Sequence, residues 1–163
     1  MKRPGRVSAG LLMYRISNGA VEVLLAHPGG PYFARKDDGH WTIPKGQPDR
    51  GEELIDAAQR EFSEEVGFRA PGPFINLGTI QQKGGKVVHA WACMGDLPEG
   101  HKHQCNTFEA EWPIGSGIIR KFPEIDRICF FRLLEARRKL KETQCPLLDR
   151  LEELLRASES GSA

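Results

Sequence analysis

The groups of this chain that could do chemistry are concentrated between Gly46 and Phe68, in the run GQPDRGEELIDAAQREFSEEVGF. Glu61, Glu64 and Glu65 stand together, Arg60 immediately precedes them, and Glu52 lies upstream. Asp49 to Gly51 are turn formers, so a helix is expected to start near Glu52 and Glu53, where acidic side chains suit the helix dipole. Leu54, Ala58, Phe62 and Val66 recur at helical spacing and predict a buried stripe, and Gly67 is placed to end the helix in the left-handed conformation. At about 100° per residue, Glu61 and Glu65 fall within about 40° of one another at the margin of that stripe, with Glu64 further toward solvent. Two carboxylates there repel each other and lose hydration, a conflict that a hard divalent cation resolves. Mg²⁺ prefers oxygen ligands and binds through a few carboxylates plus substrate phosphates, and Mn²⁺ can substitute for it. Arg60 is expected to neutralise a further acid, Glu52, and fix its orientation. Taken alone, the acids also read as a solvated helix face, but the two glycines, Arg60 and the full spacing weigh against that.

The complete spacing, G-x5-E-x7-R-E-U-x-E-E-x-G-U with U apolar, resembles the Nudix box, and every specified position is filled. The resemblance implies an α/β fold of the Nudix type: an α/β/α sandwich with a mixed β-sheet and a loop-helix-loop catalytic motif. It also implies metal-dependent cleavage of a phosphoanhydride bond in a nucleoside diphosphate linked to another moiety. Under it the metal ligands are Glu61, Glu64, Glu65 and the Gly46 carbonyl, and the catalytic set includes Glu64, Arg60 and Glu52, the last as a brace. A general base is needed, and relatives draw it either from the box or from a glutamate outside it. Glu109 and Glu111 are candidates of the second kind. They alternate with Phe108, Ala110 and Trp112 on an expected strand and so share a face, which either reaches the metal cluster or faces solvent. Looser likeness extends outward. Trp-Thr-Ile-Pro-Lys-Gly, Trp41 to Gly46, resembles dinucleoside-polyphosphate and diphosphoinositol hydrolases of the family. GGKVVHAWA, EWP, FPEIDR and PLLDRL resemble bacterial members described as NTP pyrophosphohydrolases.

The elements that must position these groups follow from turn signals and periodicity. Ser8 to Ile16 and Val21 to Ala26 read as strands around Ser17-Asn18-Gly19, and the basic start MKRPGRV as the lead into the first of them. Trp41-Thr42-Ile43 reads as a short strand leading into the box, Phe74 to Gln82 and Lys86 to Met94 as a hairpin, and Asn106 to Trp112 as a further strand. Pro123 precedes an acidic-to-basic segment, Glu124 to Lys141, expected to be helical, and a second helix is expected from Pro146 to about Arg156. One domain over residues 1–157 is expected, with a disordered tail at 158–163.

Among substrate contacts, Lys45 reads either as a phosphate ligand or as a solvated turn lysine. Arg35, Lys36, Lys83 and Lys86 lie near expected loop tips within reach of a polyphosphate. Trp41 reads as core packing ahead of base stacking, and His101-Lys102-His103 with Cys105 as a polar loop rather than a zinc site. The chain has 163 residues and a formal net charge of +1, which gives no general attraction to nucleic acid or membrane. No apolar run is long enough to span a bilayer, and four widely spaced cysteines suit a reduced, cytoplasmic setting. The expected ligand is therefore a small nucleotide; the oligomeric state does not follow from the sequence. Two other readings stay open: a non-catalytic nucleotide-sensing domain, against which the intact acidic triad counts, and an RNA-end pyrophosphohydrolase, against which the near-zero charge counts.

Overall fold

The computed structural model describes residues 6–161. β1 (Val7–Ser17) and β2 (Ala20–Pro28) form an antiparallel pair, and β4 (Ile75–Gln81) and β5 (Val87–Met94) form another. β5 runs parallel to β1 and β8 (Ile125–Arg132) runs antiparallel to β2, so the sheet is mixed, in the order β4-β5-β1-β2-β8. β1 and β2 are apolar along most of their length because both faces of the sheet are covered. On one face α1 (Leu54–Val66) lays Ala57, Ala58, Phe62 and Val66 over Ala9, Leu11, Met13 and Leu24. On the other, α2 (Leu133–Lys139) and α3 (Cys145–Ser160) pack Ala136, Leu147, Leu148 and Leu151 against Leu12, Val23, Leu25 and Phe131. The result is the α/β/α sandwich expected from the sequence.

A fork in the sheet positions the functional segment. β1 and β2 pair in register only from Tyr14 to Ser17, and beyond that they part. The chain from Trp41 to Gly46 is wedged into the gap. Ala26 and Thr42 exchange two backbone hydrogen bonds of 2.8 and 3.0 Å, the Leu11 N–H donates to Pro44 O at 3.1 Å, and β3 (Lys45–Gly46) pairs with β1. The strand expected at Trp41-Thr42-Ile43 is thus reduced to isolated bridges, because the segment is passed from one partner to the other and no neighbour holds it for long.

The largest departure from expectation lies at Glu124 to Lys141. Its first half is strand β8, and the helix is confined to α2. Pro123, read as a helix-start signal, instead closes β7 (Ile119–Pro123), which pairs with β6 (Thr107–Glu111) in a separate two-stranded sheet. β8 became a strand because β2 offers it an edge from Glu22 to Pro28, a long-range pairing that local periodicity does not carry. The C-terminal helix continues through Ser160, so residues 158–160 of the expected tail are helical; residues 162–163 and the MKRPG start lie outside the described residues. No helix among the described residues is long and apolar enough to cross a membrane.

Candidate active site

The box helix carries its acids as the wheel predicts. Glu65 is buried at 9% exposure, Glu61 is slightly more open, and the Glu64 side chain is 39% exposed. Phe62 is fully buried and anchors the helix, and Gly67, at φ 74°, caps it by donating its N–H to Ser63 O. The Glu61 carboxyl rests directly on Gly46. A Cβ built there would lie 2.1 Å from Glu61 Cδ, so any other residue would expel the carboxylate from the box. Gly46 is needed for close approach, and β3 holds it in place against Ala9.

Arg60 organises the mouth of this cluster. Its Nε and Nη2 donate to the two oxygens of Glu52, both at 2.9 Å, and Nη2 also reaches Gln47 O at 3.0 Å. Nη1 donates to Glu61 Oε1 at 3.0 Å and to Glu64 at 3.2 Å. Glu52 in turn accepts the Asp49 N–H at 2.9 Å, which closes the turn ahead of the helix. The Arg60 guanidinium, with the Asp49 amide, holds Glu52 below the usual carboxylate range.

Glu65 is in the opposite situation. Burial, with Glu61 beside it, pushes its carboxyl up to about 8, and Lys45 offsets only part of this through its charge and its backbone N–H. The second oxygen, Oε2, is buried without a hydrogen-bond partner among the described residues. Glu61 is also raised, chiefly by burial, against the pull of Arg60. Among the described residues no three carboxylate, imidazole or thiol groups yet converge on one point, because Glu61 and Glu64 both turn onto Arg60. The donor set nevertheless fits a hard cation. It offers two buried-margin carboxylates, an oxygen with no other partner, a third carboxylate alongside, and a backbone carbonyl at Gly46. A hydrogen bond to an unpaired buried oxygen would require a donor that no neighbouring side chain supplies.

Two residues missed in the sequence reading complete the surroundings. Glu124, between β7 and β8, is close enough that its charge raises both Glu61 and Glu65. It is fastened there by its own backbone, which donates to Asn106 O and accepts the Gly29 N–H at 2.8 Å. Assigning the segment to a helix hid it. Reading Ile125 to Arg132 as a strand would have put Glu124 at a strand start beside the end of β2. Lys141 is the second. Lys45 is held below its usual range by burial first and then by Lys141, and Lys86 adds to the effect. Lys83, Lys86 and Lys141 line one open cleft of about 530 Å³.

The other candidates are placed elsewhere. Glu109 and Glu111 do share a face of β6, but it is the exposed one, and Glu111 accepts the Gly115 N–H within the hairpin's own turn. Arg35 is exposed and does not line the basic cleft, and Lys36 lies over the Phe33 ring. Trp41 is core: its ring meets Phe131 edge-on at 4.9 Å and its indole N–H donates to Asp37. His101 and His103 donate to the carbonyls of Val66 and Ile125, so they fasten their loop to the end of α1 and the start of β8.

Comparison with known proteins agrees with this geometry. Over 61 residues the chain is 43% identical to the bis(5'-nucleosyl)-tetraphosphatase [asymmetrical] of Caenorhabditis elegans, a match covering 37% of this chain and 40% of that protein. The fold is similar to a C. elegans Ap4A hydrolase binary complex, with a TM-score of 0.67 at 24% identity over 92% of this chain and 98% of that one. It is equally similar to the NUDIX domain of Shewanella oneidensis NrtR complexed with ADP ribose, at TM-score 0.67 and 15% identity over 95% and 90% of the two chains. The family model for the NUDIX domain matches residues 4–151, which takes in the box, the forked sheet and both covering layers, and the chain belongs to the Nudix family.

Proposed function

We propose that this protein is a cytoplasmic hydrolase that uses a divalent cation, Mg²⁺ or Mn²⁺, to cleave a phosphoanhydride bond in a nucleoside polyphosphate or dinucleoside polyphosphate. The observation that carries the reading is Glu65: a buried carboxylate with one unpaired oxygen, next to Glu61, on a helix where Glu61 and Glu64 already pair with Arg60. Family membership and the C. elegans relative support the same reaction class and favour the dinucleoside substrates.

Glu61, Glu64, Glu65 and the Gly46 carbonyl would hold the cation, which supplies charge neutralisation at the phosphates and a more acidic water. The chain's own groups do the rest. Arg60 locks Glu52 and stops the helix acids from splaying. Lys45 stands beside Glu61 and Glu65, where a bound diphosphate would meet it. Lys83 lies in the cleft beyond, whereas Arg35, on the surface, has no part in the reading. For the base that takes a proton from the attacking water, Glu124 is better placed than Glu109 or Glu111, since its charge is felt at Glu61 and Glu65; Glu64 is the candidate within the box.

A substrate panel with Mg²⁺ and product identification tests this: nucleoside di- and triphosphates, dinucleoside polyphosphates, sugar nucleotides and simple phosphomonoesters. Cleavage at a phosphoanhydride, abolished by EDTA, is expected. Turnover of phosphomonoesters alone would overturn the reading, and tight nucleotide binding with no cleavage would favour a sensor.

A further inference from the structure

His27 is fully buried near the end of β2, and the chemistry of the acidic cluster does not use it. Its Nδ1 lies 2.7 Å from Asp126 Oδ1 and its Nε2 lies 2.5 Å from Lys36 O. A carbonyl oxygen can only accept a hydrogen bond, and so can an ionised carboxylate. A neutral imidazole carries one N–H, which would leave a ring lone pair pressed against one of the two oxygens. The ring and Asp126 together therefore need one proton more than a neutral imidazole and a carboxylate hold. It belongs on the imidazole, the stronger base of the two types. His27 is then an imidazolium that donates in both directions. The charged side chains on the elements packed against it have their own places. Arg127 reaches Asp126 Oδ1 at 3.6 Å and lies over the Trp41 ring, which meets His27 edge-on at 5.1 Å. Asp37 is turned to the Trp41 indole and to Lys139, and the Lys36 side chain lies over Phe33.

Asp126 comes within reach because β8 carries a bulge. His27 pairs with Arg127 but Pro28 pairs with Ile125, so one step along β2 spans two along β8, and Asp126 is the extra residue. A bulge bends its strand and re-aims the side chains beside it. Two residues before Asp126 stands Glu124, whose charge is felt at Glu61 and Glu65 and whose carbonyl accepts the Gly29 N–H at 2.8 Å.

Lys36, the other partner of the ring, lies within the loop over residues 29–40. That loop starts at Gly29, packed so closely on Pro123 that a Cβ would strike the Pro123 carbonyl oxygen. Its far end is fixed separately, by the wall of the basic cleft that carries Lys141. There the Lys141 N–H donates to Trp41 O at 2.8 Å, and the Trp41 N–H donates to Lys139 O at 3.0 Å. Just beyond, the fully buried Gln144 clasps the chain: its Oε1 accepts the Ile43 N–H at 3.0 Å and its Nε2 donates to the Thr42 hydroxyl at 2.9 Å. Between these two ends, the imidazole ties the loop to the bulge. Removing the second ring proton would set a lone pair against Lys36 O or against Asp126, and the tie would open.

We propose that His27 is a positioning residue: as an imidazolium it pins the Asp126 bulge to the Lys36 carbonyl, and so holds Glu124 and the 29–40 loop in the arrangement that hydrolysis requires. The proposal rests on the proposed function in taking Glu124 as the base; the doubly protonated ring is a property of the fold and is tested without any substrate.

Side-chain ¹⁵N NMR of the full-length protein near neutral pH should show both nitrogens of His27 bonded to slowly exchanging protons. A ring with one bare nitrogen overturns the proposal, and this measurement decides even if a variant fails to fold. Asp126→Asn keeps the shape of the bulge but takes away the charge, and the ring should return to a single N–H. In that variant, amide exchange at Gly29, which reports on the Glu124 carbonyl, should speed up by about tenfold or more while Leu11 in the sheet keeps its protection. With the best nucleotide substrate, kcat should fall about tenfold and KM stay within about twofold, the split expected when turnover rather than binding is disturbed. His27→Gln, whose amide nitrogen can reach one of the two oxygens, should show the same losses. Unchanged Gly29 exchange in both variants, or a loss confined to KM, overturns the proposal even if nucleotides are cleaved. A doubly protonated ring with faster Gly29 exchange in the variants, but no nucleotide cleaved by the wild type, leaves the bridge standing and defeats the proposed function instead.

Discussion

Two regions of like charge lie side by side in this molecule, and they are built differently. The acids of the box sit on a helix at the margin of the core and in the turn ahead of it, and four of them, Asp49, Glu52, Glu61 and Glu64, are tied into a net by Arg60. Glu65 lies outside that net, and it is the buried one among the box acids. The lysines of the cleft are more open, come from two separated turns, and among the described residues share their lining with one carboxylate, Glu142. The difference is instructive. Where the protein provides its own cation, a single oxygen is left to report what is missing; where it provides none, the whole patch reports it. One region is short of a positive charge and the other of a negative one.

The strongest way to break this comparison is to change the buried acid. Glu65→Gln keeps the shape of the helix and removes the charge, and phosphoanhydride hydrolysis should fall by about 100-fold or more with an unchanged far-ultraviolet circular dichroism spectrum. Wild-type rates in that variant would remove Glu65 from the site. A second contrast sets Glu124 against Glu111. Glu124→Gln should slow turnover by about 100-fold, in the range for loss of a general base, whereas Glu111→Gln should leave it alone; the reverse result would return the base to the hairpin.

Stability separates the regions in another way. At a hundredfold excess over its dissociation constant, Mg²⁺ should stabilise the wild type by about 2.7 kcal/mol, and less in Glu61→Gln and Glu65→Gln; equal stabilisation of wild type and the double variant would place the cation elsewhere. In EDTA the sign inverts. The Glu65 pKa is raised in the fold from 4.5 to about 8, so the folded state binds the extra proton and stability drains away as pH climbs through that window. Metal-free Glu65→Gln should lack this slope and melt higher than metal-free wild type near pH 8, as calorimetric scans at several pH values would reveal. The smallest effect concerns the basic wall. Gln144→Ala leaves the Ile43 N–H without its acceptor and removes one of the Thr42 hydroxyl's partners, and should cost about 1–3 kcal/mol in urea denaturation. No loss would mean that the wall is held by the helices alone.

How much of this was legible in the residues depends on the range of the interactions involved. The box helix was readable because its stripe, its glycine cap and its acids all follow one local period, and Leu54 to Val66 obey it. The strands β1, β2, β4 and β5 were readable from apolar runs and turn residues. The segment from Asn106 to Lys141 was only half readable. Ile125 to Arg132 mixes charged and apolar residues, because β8 packs Phe131 into one layer and Ile128 and Phe130 into the other. That pattern has no clean period of two, and the true helix behind it spread its signal upstream. Glu124 and Lys141 flank this misread stretch, so both escaped. Glu109 and Glu111 were assigned to one face correctly, but which face meets the site is a tertiary fact that alternation cannot supply.

The Gln144 clasp has a consequence for observing this protein in motion. The Ile43 amide proton is protected by a side chain that lies 101 residues away in sequence, rather than by a strand neighbour. Its hydrogen–deuterium exchange therefore clocks the detachment of the C-terminal segment, independently of the opening of the sheet, which the Leu11 and Ala26 amides register through Pro44 and Thr42. If the terminal helices peel away as a unit before the sheet yields, Ile43 will exchange ahead of Leu11 and Ala26. A single amide thus becomes a clock for how often the wall beside the acidic cluster lets go.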